Sequence, residues 1–289
     1  METPAPPPER APSARAPAAA QAAIFVPPEA LHRMLGASGL LVVDVAPADV
    51  YAAGHVPGAL RLDYSALVDG GEPASGRLPR AQRLIALRDA LGLAPETRVV
   101  AYDHEQGGRA CRLLWTLHVV GHFCASVLNG GAAAWTAEGL PLEAGAAPPA
   151  GCGRAPIAPT SDRHADLDYV RSHLHDPGVA LLDVRSPAEF DGSDRRAARA
   201  GHIPGAVNLD WRETMDPERQ HRLRGDETLR GLLAARGIVP EKEIIVYCQT
   251  HHRSAHAYVM LTHLGFPRVR GYAGSWSEWG NRDDVPVAR

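Results

Sequence analysis

Cys248 follows the apolar run Ile244-Ile245-Val246-Tyr247 and precedes Gln249-Thr250-His251-His252-Arg253-Ser254. The run reads as a strand and Ala255 to Leu264 as a helix, which puts the cysteine at a strand-to-helix turn. There its sulfur can face successive backbone N–H groups, a helix N-terminus and the Arg253 cation, all of which favour thiolate over thiol. Thiolate is the reactive form, so Cys248 is a candidate covalent nucleophile. The competing account is a strand-end cysteine that only packs. A polar loop with two histidines and an arginine argues against it. Catalysis here needs a sulfur that is reachable and that faces its neighbouring amides.

The same loop supplies candidate binding groups. The amides of residues 249–253, Gln249 included, form a ring that can stabilise an anionic sulfur as an oxyanion hole stabilises oxygen. Arg253 stays cationic; it either binds an anionic substrate or braces the loop, with Asp183 as the expected ion-pair partner in the second case. His252 is the better candidate for substrate contact. His251 either lends part-time positive charge or fills loop space. Thr250 can donate its hydroxyl to the sulfur or to the substrate. Arg185 follows the strand end Asp183-Val184 and is a further candidate substrate-binding cation, with an ordinary surface arginine as the alternative. Two adjacent histidines can suggest a metal, but no third ligand stands at usable spacing, so neither metal nor other cofactor is expected.

The elements that must hold these residues occur twice. Leu41-Val42-Val43-Asp44-Val45 is echoed by Ala180-Leu181-Leu182-Asp183-Val184, and Gly54-His55-Val56-Pro57-Gly58-Ala59 by Gly201-His202-Ile203-Pro204-Gly205-Ala206. Val99 to Asp103 matches Ile244 to Cys248, and Gly130 to Trp135 matches Gly274 to Trp279. Short apolar runs alternate with helical spacing, as in Leu84, Leu87 and Leu91 within Leu78 to Leu91. The expected fold is therefore α/β: two tandem domains, each a mostly parallel sheet with helices on both faces. The repeats place one domain at 24–143 and another at 165–289, joined by an Ala/Gly/Pro-dense linker at 144–164. Gly192 to Ala200 is an extra polar loop in the second. His55 and His202 recur, so they serve the Gly-His-x-Pro-Gly turn; Trp135 and Trp279 recur and read as core or domain-interface aromatics. Trp211, opposite Tyr64, is expected to wall a cleft.

With 289 residues, 45% hydrophobic and 22% charged, the composition is that of an ordinary globular protein with two cores. A net charge of −3 points away from nucleic acid and from anionic membranes, and no apolar run is long enough to span a bilayer. Four cysteines without a CxxC pair are neither a disulfide framework nor a zinc site, and suit a reducing cytoplasm. Residues 1–23, rich in Pro and Ala without an apolar core, read as a disordered tail, a cleaved targeting peptide being the alternative. Two related halves that bury a shared face favour a monomer.

Together the Gly-His-Ile-Pro-Gly-Ala block, the closing Gly274 to Trp279 block and the cysteine loop resemble the two-domain rhodaneses, the thiosulfate sulfurtransferases. The loop resembles the bacterial form Cys-Gln-Thr-His-His-Arg-Ser, rather than the Cys-Gly-Ser/Thr-Gly of mercaptopyruvate sulfurtransferases. The resemblance implies transfer of sulfane sulfur from thiosulfate to cyanide or a thiol, through a persulfide on Cys248. Asp103 stands where that cysteine would be in the first copy, which implies a silent domain. Glu189 falls where some relatives carry a substrate-binding arginine. Related phosphatase loops read C-x5-R; C-x4-R makes a tighter ring, leaving phosphatase or arsenate reductase as runner-up. A mercaptopyruvate donor or a persulfide carrier serving a protein partner remain the alternatives. Cys111, in the helical run Arg109 to Val119, is expected to be a core thiol.

Overall fold

In the computed structural model, which describes residues 23–146 and 162–289, each repeat folds around its own five-stranded sheet. The first runs β1 (Phe25–Val26), α1 (Pro28–Met34), β2 (Leu40–Asp44), α2 (Ala48–Ala53), β3 (Leu60–Arg61), α3 (Ala81–Ala90), β4 (Arg98–Tyr102), α4 (Gly108–Val119), β5 (Ala125–Leu128) and α5 (Gly131–Ala137). The second opens with β6 (His164–Ala165), α6 (Leu167–Ser172), β7 (Val179–Asp183), α7 (Pro187–Asp191) and β8 (Val207–Asn208). A hairpin of β9 (Met215–Asp216) and β10 (Arg222–Leu223) follows, then α8 (Asp226–Ala234), β11 (Glu243–Tyr247), α9 (Arg253–His263), β12 (Val269–Tyr272) and α10 (Ser275–Trp279).

Strand order is β1-β5-β4-β2-β3 in one sheet and β6-β12-β11-β7-β8 in the other. Every pairing in both is parallel. Parallel neighbours need crossovers, which the helices supply. The duplication extends to single hydrogen bonds. Tyr102 and Tyr247 each accept with their hydroxyl from the backbone N–H of Val56 and Ile203. His55 and His202 each stack on an aromatic ring, Tyr51 and Phe190, and engage a carbonyl through Nδ1. Trp135 and Trp279 are buried and donate to the carbonyls of Pro141 and Pro286.

Some boundaries differ from the sequence expectation, the start of α9 at Arg253 rather than Ala255 among them. Helix α3 starts at Ala81 rather than Leu78, because Leu78 precedes Pro79 and is biased to extended backbone. The expected linker ended at 164, yet His164 already pairs with β12. The expected tail up to Ala22, and residues 147–161 of the linker with Cys152, lie outside the described residues.

The two halves share one hydrophobic cluster. Helix α4 is buried at nearly every position, since one side covers its own sheet and the other packs on α9. Leu113, Leu114 and Leu117 meet Tyr258, Val259 and Leu261 in that cluster. Polar links cross the same boundary: Arg77 to Glu278 at 2.7 Å, Arg222 to Glu138 at 2.6 Å and His118 to the Tyr258 hydroxyl at 3.0 Å.

Candidate active site

Strand β11 delivers Cys248 to the edge of the second sheet, and α9 begins five residues later at Arg253. The turn between them is held from outside by Gly274 to Ser277. Trp276 and Ser277 donate to the carbonyls of Cys248 and Gln249, and the Ser275 hydroxyl accepts from the Cys248 N–H. Ser275 and His251 both adopt left-handed backbone, with φ of 52° and 61°, which side chains other than glycine rarely tolerate. Such strain persists only where surrounding contacts enforce it.

That conformation aims the His251 N–H at the Cys248 sulfur, 3.2 Å away. Burial pushes the thiol up, but the Arg253 charge, the Ser254 hydroxyl and N–H donation from Ser254 and Thr250 outweigh it. The net effect lowers the thiol below its ordinary range, which favours thiolate. Ser254 was missed in the sequence. The signal was its place in the first turn of α9, where a hydroxyl can fold back over the loop. Its oxygen also lies 2.7 Å from Nδ1 of His251.

The charged partners are exchanged relative to the sequence expectation. Arg253 does not pair with Asp183; it forms a bidentate pair with Glu189, at 2.7 and 2.9 Å. Glu189 is fixed in turn by a capping box with Ser186 at the start of α7. Asp183 instead holds Arg185, at 2.6 Å, and both side chains are fully buried. Arg185 also donates to the Gly201 carbonyl and lies over the Trp276 ring, so it is a structural cation with no face open to substrate. The strand-end geometry explains the swap: Asp183 reaches its own neighbour two residues on before any side chain from α9.

His251 takes the second of its two expected roles, filling space in the loop. It is fully buried beneath the loop, edge-on to Trp115 at 4.4 Å and packed against Gly271, where it cannot touch substrate. Burial, then the charges of Arg112 and its neighbours, keep it neutral, with its pKa well below the usual value. His252 is half-buried, and burial followed by the Arg253 and Arg112 charges depresses it to about 4. Neither imidazole therefore carries positive charge at neutral pH. The Thr250 hydroxyl sits 3.2 Å from Nδ1 of His252 rather than on the sulfur. Gln249 turns outward and donates to the Arg196 carbonyl in the extra loop of 192–200.

The sequence called for a reachable sulfur. Cys248 faces its amides, but the residue is 0% exposed, so a donor reaches it only after side chains around the loop move. Part of the cover comes from the first repeat. The backbone at Gly76 abuts that of Thr250, and the Tyr64 ring lies edge-on to His252. Trp211, expected to wall the cleft, packs edge-on to His256 of α9 instead.

The equivalent turn of the first repeat is filled by its own carboxylate. Asp103 Oδ1 accepts from the N–H groups of Glu105 and Gly107, and Oδ2 from those of Arg109 and Ala110. Cys111 is buried in the core, and burial followed by the Asp103 charge raises its thiol well above the ordinary range. It is inert. Asp103→Ala leaves four inward-facing donors without their acceptor. A loss of about 2–4 kcal/mol in urea unfolding is expected, and a change below about 0.5 kcal/mol would contradict that account of the loop.

The family described as rhodanese-like domain matches residues 27–138 and again 166–282. A thiosulfate sulfurtransferase of Pseudomonas aeruginosa is 44% identical over 264 residues, covering 91% of this chain and 96% of that one. The sulfur carrier protein TtuD of Thermus thermophilus is 35% identical, covering 83% and 87%. Among solved structures, the anaerobic ergothioneine biosynthesis enzyme of Chlorobium limicola, in complex with trimethyl histidine, matches with a TM-score of 0.82 and 26% identity. It covers 93% of this chain and 70% of its own.

Proposed function

The chain belongs to the rhodanese-like domain family, with two copies of the domain, and from that premise we propose that Cys248 of the second copy carries sulfur between small molecules. The protein is a thiosulfate sulfurtransferase. The Cys248 thiolate attacks the outer sulfur of thiosulfate; the S–S bond of the donor breaks, and sulfite leaves with the bonding pair. The persulfide so formed ends in an anionic sulfur, stabilised by the loop amides, the Ser254 hydroxyl and the Arg253 charge. A thiophile such as cyanide or a thiol then attacks that terminal sulfur, and the Cys248 thiolate leaves and is regenerated.

One observation carries this reading: the same turn exists twice, closed by a carboxylate at Asp103 and offered to a sulfur at Cys248. A carboxylate accepts no sulfur, so the first copy is silent. Because half of the cycle is complete before the acceptor binds, double-reciprocal plots with thiosulfate and cyanide should be parallel. Intersecting lines would remove the covalent intermediate. A donor comparison at equal concentration is expected to favour thiosulfate over 3-mercaptopyruvate. A transfer that depends on an unpaired thiol suits a reducing compartment such as the cytoplasm.

The pH profile follows from the titrating groups. Activity should fall on the acid side as Cys248 protonates, at a pH below that of an ordinary thiol. His252, already neutral above about 4, adds nothing near neutrality. His252→Gln is therefore expected to leave the acid limb of kcat/KM in place. A limb that vanishes in this variant would make the imidazole, not the thiol, the titrating group.

A further inference from the structure

Among the described residues two arginines, Arg112 and Arg185, are fully buried, and their surroundings treat them oppositely. Arg185 is neutralised by Asp183. Arg112, on α4 of the silent repeat, donates only to carbonyl oxygens: Leu67 at 2.9 Å, His251 at 3.3 Å and Arg77 at 3.4 Å. Its Nε has no partner, and its guanidinium lies 4.7 Å over the Trp115 ring. Among the described residues no carboxylate pairs with it. An uncompensated buried cation is costly, and packing alone is served better by an apolar side chain.

The titratable groups that face Arg112 are Tyr64, His164, His251, His252 and Cys248. Burial keeps Tyr64 neutral, and the histidines can only add positive charge. Cys248 is the one group in this set whose charged form is negative and favoured by its surroundings, as thiolate or as persulfide. Arg112 also grips the carbonyl of His251, the residue whose strained backbone aims an N–H at that sulfur.

We propose that Arg112 is a positioning residue supplied to the active site across the domain boundary, its charge holding the Cys248 sulfur anionic and its hydrogen bond fixing His251. The proposal rests on Cys248 being the sulfur carrier. It also gives the silent repeat a role in the chemistry, because Arg112 comes from its helix α4 and reaches the catalytic loop at the His251 carbonyl.

The test uses the full chain with Arg112→Met and Arg112→Lys. Thiolate absorbance is followed against pH, with Cys248→Ser as the baseline, alongside single-turnover loading by thiosulfate. Arg112→Met should shift the titration to higher pH and slow loading roughly tenfold on the acid side, the deficit closing as pH rises. Arg112→Lys should restore most of both. An unshifted titration in Arg112→Met overturns the proposal even while thiosulfate still loads Cys248; failure of the unaltered protein to load strikes the sulfurtransferase reading instead. Should Arg112→Met not fold, the Arg112 side-chain N–H resonance of the unaltered protein decides. It should move with the Cys248 titration and stay fixed in Cys248→Ser, and a resonance indifferent to that titration overturns the proposal.

Discussion

Cys248→Ser is expected to abolish thiosulfate:cyanide sulfur transfer, lowering kcat/KM by roughly 10^4-fold or more. The replacement is nearly isosteric, so urea unfolding should stay close to that of the unaltered protein. What is lost is chemical. A serine hydroxyl is not ionised beside these donors, and an oxygen does not form the sulfur–sulfur bond on which the second half of the cycle acts. No other thiol among the described residues can take over. Cys111 is sealed in the core with its thiol raised well above the ordinary range, and Cys124 is exposed without a cradle. Retained steady-state transfer in this variant would end the account of the site.

The next largest effect is expected from Arg253. Arg253→Met removes the leading favourable charge on the Cys248 sulfur and leaves Glu189 nearly buried without its partner. Activity should fall roughly 10^2-fold. Stability should fall by about 2–3 kcal/mol, since breaking a mostly buried pair strands one charge. The pair also fixes how acid acts on the fold. Burial pushes the Glu189 carboxyl up, but Arg253 and the Ser186 N–H prevail and bring it from 4.5 to about 2. A depressed carboxyl contributes stability that is complete above 4.5 and lost as pH falls towards about 2. Arg253→Met should lose that acid-sensitive component. Combining it with Glu189→Gln should restore most of the stability but not the activity. If the double variant also regains sulfur transfer, Arg253 only braces the loop.

The frame was legible because it is local and repeated. Strand runs such as Leu40–Asp44 and Glu243–Tyr247, and the turn motifs around His55 and His202, declare themselves by composition and spacing. Cys248 was legible for the same reason: one polar loop between a strand and a helix. The ion pairs were not. Asp183 chose the neighbouring Arg185, and Arg253 chose Glu189, sixty-four residues away in sequence, because the folded chain brings the start of α7 within side-chain reach of Arg253. Nor could spacing show that His251 turns inward under the loop, a consequence of its left-handed backbone and of the room beside Gly271. The parts taken from the first repeat, Tyr64 and Arg112, were invisible because only the docking of α4 on α9 brings them to the sulfur.

Intact mass measured before thiosulfate, after it, and again after cyanide tests the central claim most directly. A persulfide on Cys248 predicts the gain of one sulfur atom per chain, complete removal by cyanide, and no gain in Cys248→Ser. A mass that does not change with thiosulfate, or a gain that survives when residue 248 is serine, would contradict it.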